Sequence, residues 1–309
     1  MNRKVVKRDF TRFLDITEKE ARYLLKRAVL LKKMKKSGSK YKPLKDKTLA
    51  MIFEKASTRT RVSFEVGMRE LGGNSIFLTA QESQIGRGEP VKDTARVLSR
   101  YTDVIVLRTY SQRTIEEFAQ WSTVPIINGL SDLYHPCQIL SDLLTITEFK
   151  GGIKDINIAY IGDGNNIANS WIEAAILLKL NLVVATPPGY KPEWTLVERA
   201  KKNNNFHFTH DPQNAIQGAD VVNTDVWVSM GQEKESRKRK KAFASYTVNE
   251  KLLQRAKQDV IIMHCLPAHR GEEITEEVFE RFQQVIFSQA ENRLHAQKAL
   301  LEWIITRNS

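Results

Sequence analysis

Residues 57–61 bring hydroxyl and guanidinium side chains that can bind an anion into one short segment: Ser57, Thr58, Arg59, Thr60 and Arg61. They follow the apolar run 48–53, which predicts a buried strand, and precede residues 62–71, whose mixed pattern predicts a partly buried helix. The start of a helix offers backbone N–H groups and the positive end of the helix dipole. Guanidinium forks and hydroxyls add donors that match an oxyanion. The segment therefore predicts an anion site, with phosphate as the expected occupant.

The alternative is that Ser57 or Thr58 simply caps the helix while both arginines lie on its solvated face. A cap uses only one hydroxyl, so it leaves the other hydroxyls and the arginines unexplained. We therefore favour the anion site. The segment is not a Walker A loop, because it lacks the glycines and the Gly-Lys-Ser/Thr ending.

The elements that would position this segment follow from the hydrophobic pattern. The first half of the chain predicts strands at 48–53, 75–79, 103–107 and 124–127, and helices at 17–32, 62–71, 91–101, 115–121 and 136–149. After Gly151-Gly152 the second half predicts strands at 156–161, 182–185, 206–209, 221–224, 260–263 and 285–287, and a closing helix at 289–305.

This alternation predicts an α/β fold of two doubly wound parallel-sheet domains joined by helices. We place the domains at 1–150 and 151–288, with the C-terminal helix, 289–309, packing back on the first. Ligands of such sheets bind at the carboxyl ends of the strands, so the active site is expected in the cleft between the domains.

Composition limits the classes of function. The 309 residues suffice for two domains, and 41% hydrophobic and 27% charged residues are typical of a globular protein. No membrane-length apolar run or apolar signal region is present, so we expect a cytoplasmic protein with no membrane partner. The net charge of +12 suits nucleic acid, an acidic membrane or small anionic substrates. The basic patches near 32–47 and at 237–241 lack the series of interleaved aromatic side chains that a single-strand binder uses, so we expect solvated helix faces and no nucleic-acid partner.

Several predicted strands are followed by side chains that can bind or react. These are Arg108, His135 with Gln138, Asn166, Asp225 and Cys265. An isolated His is usually a core residue, but Pro136 stiffens a helix entry here. His135 can then donate to a carbonyl oxygen and Gln138 can meet an amide-like NH2 group. We expect the Cys137 side chain, which lies between them, to be a spectator.

Residues 162–167 begin like a dinucleotide fingerprint, but Ile167 replaces the third glycine. Residues 184–186 offer no acidic group for a ribose, so NAD is not expected. The turn either presents Asn166 to a ligand or is purely structural.

Asp225 is either a helix cap or a carboxylate that holds a substrate beside a mobile loop. Cys265 is by default a small buried hydrophobic residue. We expect no covalent thiol mechanism, because no activating His/Asn pattern is near and His264 is expected to turn outward. Both cysteines are expected to be thiols.

Taken together, these motifs resemble the ornithine carbamoyltransferases over essentially the whole chain. The segments at 57–61 and 135–138 are largely shared with the aspartate carbamoyltransferases. The Ser-Met-Gly sequence at 229–231 and the His-Cys-Leu-Pro sequence at 264–267 discriminate between the two branches, and they resemble the ornithine branch. The resemblance implies carbamoyl phosphate and L-ornithine as substrates, citrulline and phosphate as products, and no metal or organic cofactor. It also implies a homotrimer with shared active sites and a cis bond before Pro267.

The resemblance also implies a role for each motif residue. Domain 1–150 would bind carbamoyl phosphate, and domain 151–288 would bind ornithine. The phosphate would be held by Ser57, Thr58, Arg59, Thr60 and, from a neighbouring subunit, Gln84. The carbamoyl group would be bound or polarised by Arg108, His135, Pro136, Cys137, Gln138, Cys265, Leu266 and Arg293. Ornithine would be bound by Asn166, Asp225, Ser229 and Met230, and the expected catalytic residues are Arg108, His135, Gln138, Asp225 and Cys265.

Three other functions stay open at this point. Aspartate carbamoyl transfer shares the first half of the site, but Asp225 would repel a second substrate carboxylate. Transfer to putrescine or to an N-acylated ornithine would use an amine without a free α-amino acid group. A basic nucleic-acid-binding protein would be retained on DNA in a salt-dependent way and would make no citrulline.

Overall fold

We call residues 57–61 the anion segment. The apolar run 48–53 before it forms a strand that lies second in the spatial order of a sheet whose strands all run parallel. The computed structural model describes residues 7–79, 88–228, 231 and 233–307. The predicted site residues Gln84, Ser229 and Met230 lie outside these ranges. The chain divides into two compact units, residues 1–141 with 292–309, and residues 142–291.

The first unit contains a parallel sheet with the strand order β2-β1-β3-β4 among the described residues. Its strands are β1 (Thr48–Phe53), β2 (Asn74–Thr79), β3 (Val104–Arg108) and β4 (Ile126–Leu130). Its helices are α1 (Glu18–Lys36), α2 (Thr58–Glu70), α3 (Val91–Leu98), α4 (Gln112–Trp121) and the start of α5 (Pro136–Lys150). Apolar side chains of β1, β3, β4, α3 and α4 form one buried cluster.

The second unit contains a parallel sheet with the order β7-β6-β5-β8-β9 in the described part of the chain. Its strands are β5 (Asn157–Ile161), β6 (Asn181–Ala185), β7 (Phe206–Thr209), β8 (Val221–Thr224) and β9 (Ile261–His264). Its helices are α6 (Asn166–Leu178), α7 (Trp194–Ala200), α8 (Pro212–Ala215), α9 (Ser236–Phe243), α10 (Glu250–Leu253) and the first part of α11 (Glu276–Arg307). The predicted fold class, two parallel-sheet α/β units, is confirmed.

The last part of α11 belongs to the first unit and is held there by polar contacts to α1. Arg27 donates from Nε and one Nη to the two carboxylate oxygens of Glu302, each at 2.8 Å. The buried Lys32 ammonium donates to Asn292 Oδ1 at 2.7 Å. These contacts fix the α11 residues that lie beside the anion segment.

The predicted strand at 285–287 is wrong, because these residues lie inside α11. Val278, Phe279, Val285 and Ile286 are buried at helical spacing, whereas Phe287 is 53% exposed. A three-residue apolar run is too short to separate a strand from one side of a helix. The other predicted strands are present, with bounds that differ by at most a few residues.

Across the described ranges, no helix combines the length and the apolar character that a membrane crossing requires.

The close packing around Gly164, in the turn between β5 and α6, predicts that a larger residue at this position destabilises the protein. A Cβ atom at this position would lie 2.3 Å from the backbone of Lys191 and Pro192, which cannot move aside as a side chain can. Gly164→Ala should therefore destabilise the protein by about 1–3 kcal/mol or more. Gly152→Ala is the control, because a Cβ there meets nothing within 4 Å. Urea unfolding should separate the two variants, and equal stability would contradict the steric argument.

Candidate functional site

The anion segment begins α2 as the sequence predicts, with Ser57 as the N-cap. The Ser57 hydroxyl accepts from the Thr60 backbone N–H at 3.3 Å, so the capping alternative holds for this one residue. Thr58 is exposed and Arg59 is half-buried. The start of α2 therefore presents these side chains together with the positive end of the helix dipole.

The sequence predicts Arg61 as a second arginine ligand of the anion, but in the structure its side chain contacts protein groups. Its Nε donates to Glu65 at 2.8 Å, one turn further along α2, and its guanidinium lies 3.8 Å from the centre of the Phe77 ring. This arrangement supports the solvated-face alternative for Arg61. Of the two arginines in the motif, Arg59 alone remains a candidate ligand.

Two buried arginines converge on the Thr60 hydroxyl, which is itself fully buried. Arg293 on α11 donates to Thr60 Oγ1 at 2.6 Å, and Arg108 at the end of β3 donates to the same atom at 3.5 Å. Arg293 also donates to Gln138 Oε1 at 3.2 Å. A hydroxyl has two acceptor lone pairs and one proton. Because both guanidiniums approach the oxygen, Thr60 is left to act as a donor.

His135 lies directly before α5 and is 4% exposed. Burial, followed by the charges of Arg293 and Arg108, holds the pKa of His135 well below its usual value of 6.5. The ring is therefore neutral at physiological pH. A neutral imidazole can donate one hydrogen bond to an oxygen that gains negative charge during a reaction.

Cys137 is also buried, and its thiol donates to the Asn128 backbone carbonyl at 3.3 Å. Burial raises the pKa of Cys137 to about 12, so the thiol stays protonated. Pro136 begins α5 and Gln138 is fully buried on its first turn. Within the first unit the structure thus brings together Thr60, Arg108, Gln138 and Arg293, which we call the cationic cluster.

Sequence reasoning missed Lys55, which precedes the anion segment. Its ammonium is 4% exposed, forms an ion pair with Asp132 and lies 4.1 Å from the centre of the Tyr110 ring. Asp132 and Tyr110 belong to the loops after β4 and β3. Lys55 therefore ties the start of α2 to the loop that carries His135 and to the loop that follows Arg108. Its position beside residues 57–61 was the only available sign of this role.

In the second unit, a second polar group surrounds the carboxylate of Asp225 at the end of β8. The Cys265 thiol, which follows β9, donates to Asp225 Oδ1 at 3.0 Å. Asn165 donates from Nδ2 to Asp225 Oδ2 at 2.7 Å. Each carboxylate oxygen therefore receives a donor from a neighbouring strand end. We call Asn165, Asp225 and Cys265 the carboxylate cluster.

Asn166, the predicted ligand, is the first residue of α6 and is half-buried. The residue before it, Asn165, is the N-cap, and its Oδ1 accepts from the Ile167 and Ala168 N–H groups. Sequence reasoning missed Asn165, although an Asn at the start of a predicted helix is a common cap. A side chain at position 164 would collide with the backbone of Lys191 and Pro192. This packing accounts for the second glycine of the turn, so a bound dinucleotide is not needed to explain it.

His264 does not turn outward as expected. Its side chain is fully buried, Nε2 lies 2.9 Å from Glu273 Oε1, and Nδ1 accepts from the Leu266 N–H at 2.9 Å. Ligand atoms of Asp225, His264 and Cys265 lie within 4.8 Å of one another, a spacing that could suit a metal. Both ring nitrogens of His264 are bound to protein groups, which disfavours that use. The Leu266–Pro267 bond is cis, as the resemblance implies.

The fold and these two clusters define a class: a two-unit parallel α/β protein with anion-binding features in one unit and a buried carboxylate in the other. Comparison with known proteins identifies the family. The model "Aspartate/ornithine carbamoyltransferase, carbamoyl-P binding domain" matches residues 8–148. The model "Aspartate/ornithine carbamoyltransferase, Asp/Orn binding domain" matches residues 154–304. The chain belongs to the aspartate/ornithine carbamoyltransferase family.

Individual relatives agree with this assignment. The chain is 54% identical to the ornithine carbamoyltransferase of Syntrophotalea carbinolica, over 96% of this chain and 98% of the relative. Among solved structures, the ornithine carbamoyltransferase from Pyrococcus furiosus superimposes with a TM-score of 0.92 at 50% identity, covering 96% and 97% of the two chains. The anabolic ornithine carbamoyltransferase from Campylobacter jejuni gives 0.90 at 42% identity, covering 97% and 99%. The predicted resemblance to the ornithine carbamoyltransferases is confirmed.

The lowered pKa of His135 predicts how the free energy of unfolding changes at acidic pH. Below about pH 6.5 the unfolded chain binds a proton at this His that the folded chain excludes. The contribution of His135 to the free energy of unfolding is complete above that pH. It is lost as the pH falls towards the His135 pKa of the folded chain, by at most about 1.4 kcal/mol per pH unit. Between about pH 7.5 and about pH 5.5, His135→Gln should therefore lose less unfolding free energy than the wild type. Urea titrations at both pH values measure this, and equal losses would contradict the buried neutral ring.

Proposed function

We propose that this protein transfers the carbamoyl group of carbamoyl phosphate to the side-chain amine of L-ornithine, giving L-citrulline and phosphate. The observation that carries the proposal is the similarity to ornithine carbamoyltransferases, which extends over 96% of the chain at 54% identity. The two clusters supply the chemistry that this reaction needs. The first unit has donors for an anion, and the second has a carboxylate for an amine.

We assign carbamoyl phosphate to the first unit. The phosphate is bound at the start of α2 by Ser57, Thr58, Arg59 and Thr60, where backbone N–H groups and the helix dipole favour an anion. Gln84 of a neighbouring subunit completes this contact in the trimer that we propose. The assembly and a cytoplasmic location follow from the family resemblance, and the two free thiols, Cys137 and Cys265, agree with a reducing compartment.

The carbamoyl oxygen gains negative charge as the amine attacks. Thr60, Arg108 and His135 stabilise this charge, since preorganised donors act most strongly on charge that develops during the reaction. Gln138, with Arg293 fixed beside it, accepts from the carbamoyl NH2 group. Pro136 and Cys137 shape this part of the site through the backbone.

We assign ornithine to the second unit, with Asn166, Asp225, Ser229 and Met230 as its ligands. Asp225 and Cys265 lie near the side-chain amine and orient it. The amine must lose its proton before it attacks, and its unperturbed pKa resembles that of lysine, about 10.4. The apparent affinity for ornithine should therefore increase as the pH rises above neutrality.

The buried carboxylate also separates this function from its nearest alternative. A second substrate with a side-chain carboxylate, such as aspartate, would place like charges together beside Asp225. The basic run at 237–241 gives no support to nucleic-acid binding, because Arg239 is buried in an ion pair with Asp163. The remaining basic residues of the run lie exposed on α9.

The proposed reaction makes a direct prediction about substrates. Purified protein given carbamoyl phosphate and L-ornithine should release citrulline and phosphate in equal amounts, measured by colorimetric assay. Aspartate and putrescine should support little turnover. Turnover with aspartate or putrescine in preference to ornithine would refute the assignment of the second substrate, and no turnover with any amine would refute carbamoyl transfer.

The Thr60 hydroxyl gives a second prediction. Thr60→Val keeps the shape of the side chain but removes the donor. The loss of one such donor should lower kcat/KM for carbamoyl phosphate by about 100- to 1000-fold. Thr60→Ser is the matched control, since it keeps the hydroxyl and should retain most of the activity. Similar activity in the Val and Ser variants would show that the hydroxyl does not act on the substrate.

A further inference from the structure

Asn165 performs two functions with the two ends of one amide group. Its Oδ1 accepts from the Ile167 N–H at 2.9 Å and from the Ala168 N–H at 3.3 Å, as an N-cap does. Its Nδ2 donates to Asp225 Oδ2 at 2.7 Å. Since backbone N–H groups can only donate, the cap fixes which end of the amide is oxygen. The NH2 end must therefore face Asp225.

A third contact holds the amide in this orientation. The Tyr160 hydroxyl lies 3.1 Å from Asn165 Oδ1 and 2.8 Å from the Asp163 carbonyl oxygen, and its single proton is shared between these two acceptors. Tyr160 is fully buried at the end of β5 and cannot swing into solvent. Arg239 holds the other side of the same turn through its ion pair with Asp163. These contacts fix the turn between β5 and α6.

We propose that Asn165 is a positioning residue that fixes the Asp225 carboxylate for the amine of the second substrate. The inference rests on the proposed function, in which Asp225 lies near the ornithine side-chain amine. Asn165 on one oxygen and the Cys265 thiol on the other prevent rotation of the carboxylate. A hydrogen bond to a charged group is stronger than one between neutral groups, so this contact resists displacement. The carboxylate then meets the amine without first having to reorient.

The chain offers matched variants for the test. Asn165→Ser keeps a good N-cap but is too short to reach Asp225. Asn249→Ser is the control, because Asn249 also caps a helix of the second unit, α10, where its side chain accepts from the Leu252 N–H. Tyr160→Phe removes one contact to Asn165 and leaves the amide itself in place.

The readout is the KM for ornithine set against the inhibition constant of 2-aminopentanoate, which has the ornithine backbone but no side-chain amine. Asn165→Ser should raise the ornithine KM by about tenfold or more, the effect of one hydrogen bond to a charged group. The inhibition constant of 2-aminopentanoate and the KM for carbamoyl phosphate should change much less. Tyr160→Phe should shift the ornithine KM in the same direction by a smaller factor, and Asn249→Ser should behave as the wild type.

The outcomes separate the inference from the function on which it rests. A wild type that makes no citrulline would refute both the proposed function and the inference. An active wild type with an unchanged ornithine KM in Asn165→Ser would overturn the inference alone. An equal rise in the ornithine KM and the 2-aminopentanoate constant would also overturn it, because general damage to the turn weakens both ligands.

Discussion

The buried positive charge around the Thr60 hydroxyl is the constraint on which the first half of the site depends. Two guanidiniums of like charge approach one neutral oxygen, and interactions between charges are much stronger in a buried region than in water. Burial, and after it the same two charges, lowers the pKa of His135 and keeps the ring neutral. A bound phosphate would offset the repulsion and use the dipole of α2. Affinity for an anion and a hydroxyl that must donate therefore share one physical origin, and the same charges add to the burial that keeps the imidazole neutral.

This cluster depends on residues that are far apart in the sequence, and α11 supplies the most distant of them. Arg293 lies just past the point where α11 passes from the second unit to the first. The Arg27–Glu302 and Lys32–Asn292 contacts hold this end of the helix against α1. A substitution on α1 can thus disturb the Arg293 guanidinium without touching the site. That dependence explains why the long C-terminal helix belongs to the chemistry as well as to the packing.

The sequence predicted the parallel sheets well, because their strands are continuous apolar runs that alternate with amphipathic helices. It also placed Arg108, His135 and Asp225 at strand ends, where side chains from distant segments meet. The sequence-based prediction failed where a residue's position depends on contacts with other parts of the chain. The Arg61 side chain contacts Glu65 and Phe77. Residues 285–287 lie in α11, whose buried side can be recognised in the sequence only over several helical turns. Asn165 was overlooked beside Asn166, because its function requires Asp225, sixty residues away.

The two clusters differ in the way they are held, and the difference matches the charge of the proposed substrates. In the cationic cluster, charged donors surround a neutral hydroxyl, so an incoming anion gains attraction from several fixed groups. In the carboxylate cluster, neutral donors surround one charge, so Asp225 is oriented without being neutralised by a cation. A lysine or arginine in place of Asn165 would also fix the carboxylate, but it would compete with the substrate amine for the same charge. A neutral amide that is itself fixed by a helix cap gives orientation and leaves the negative charge available to ornithine.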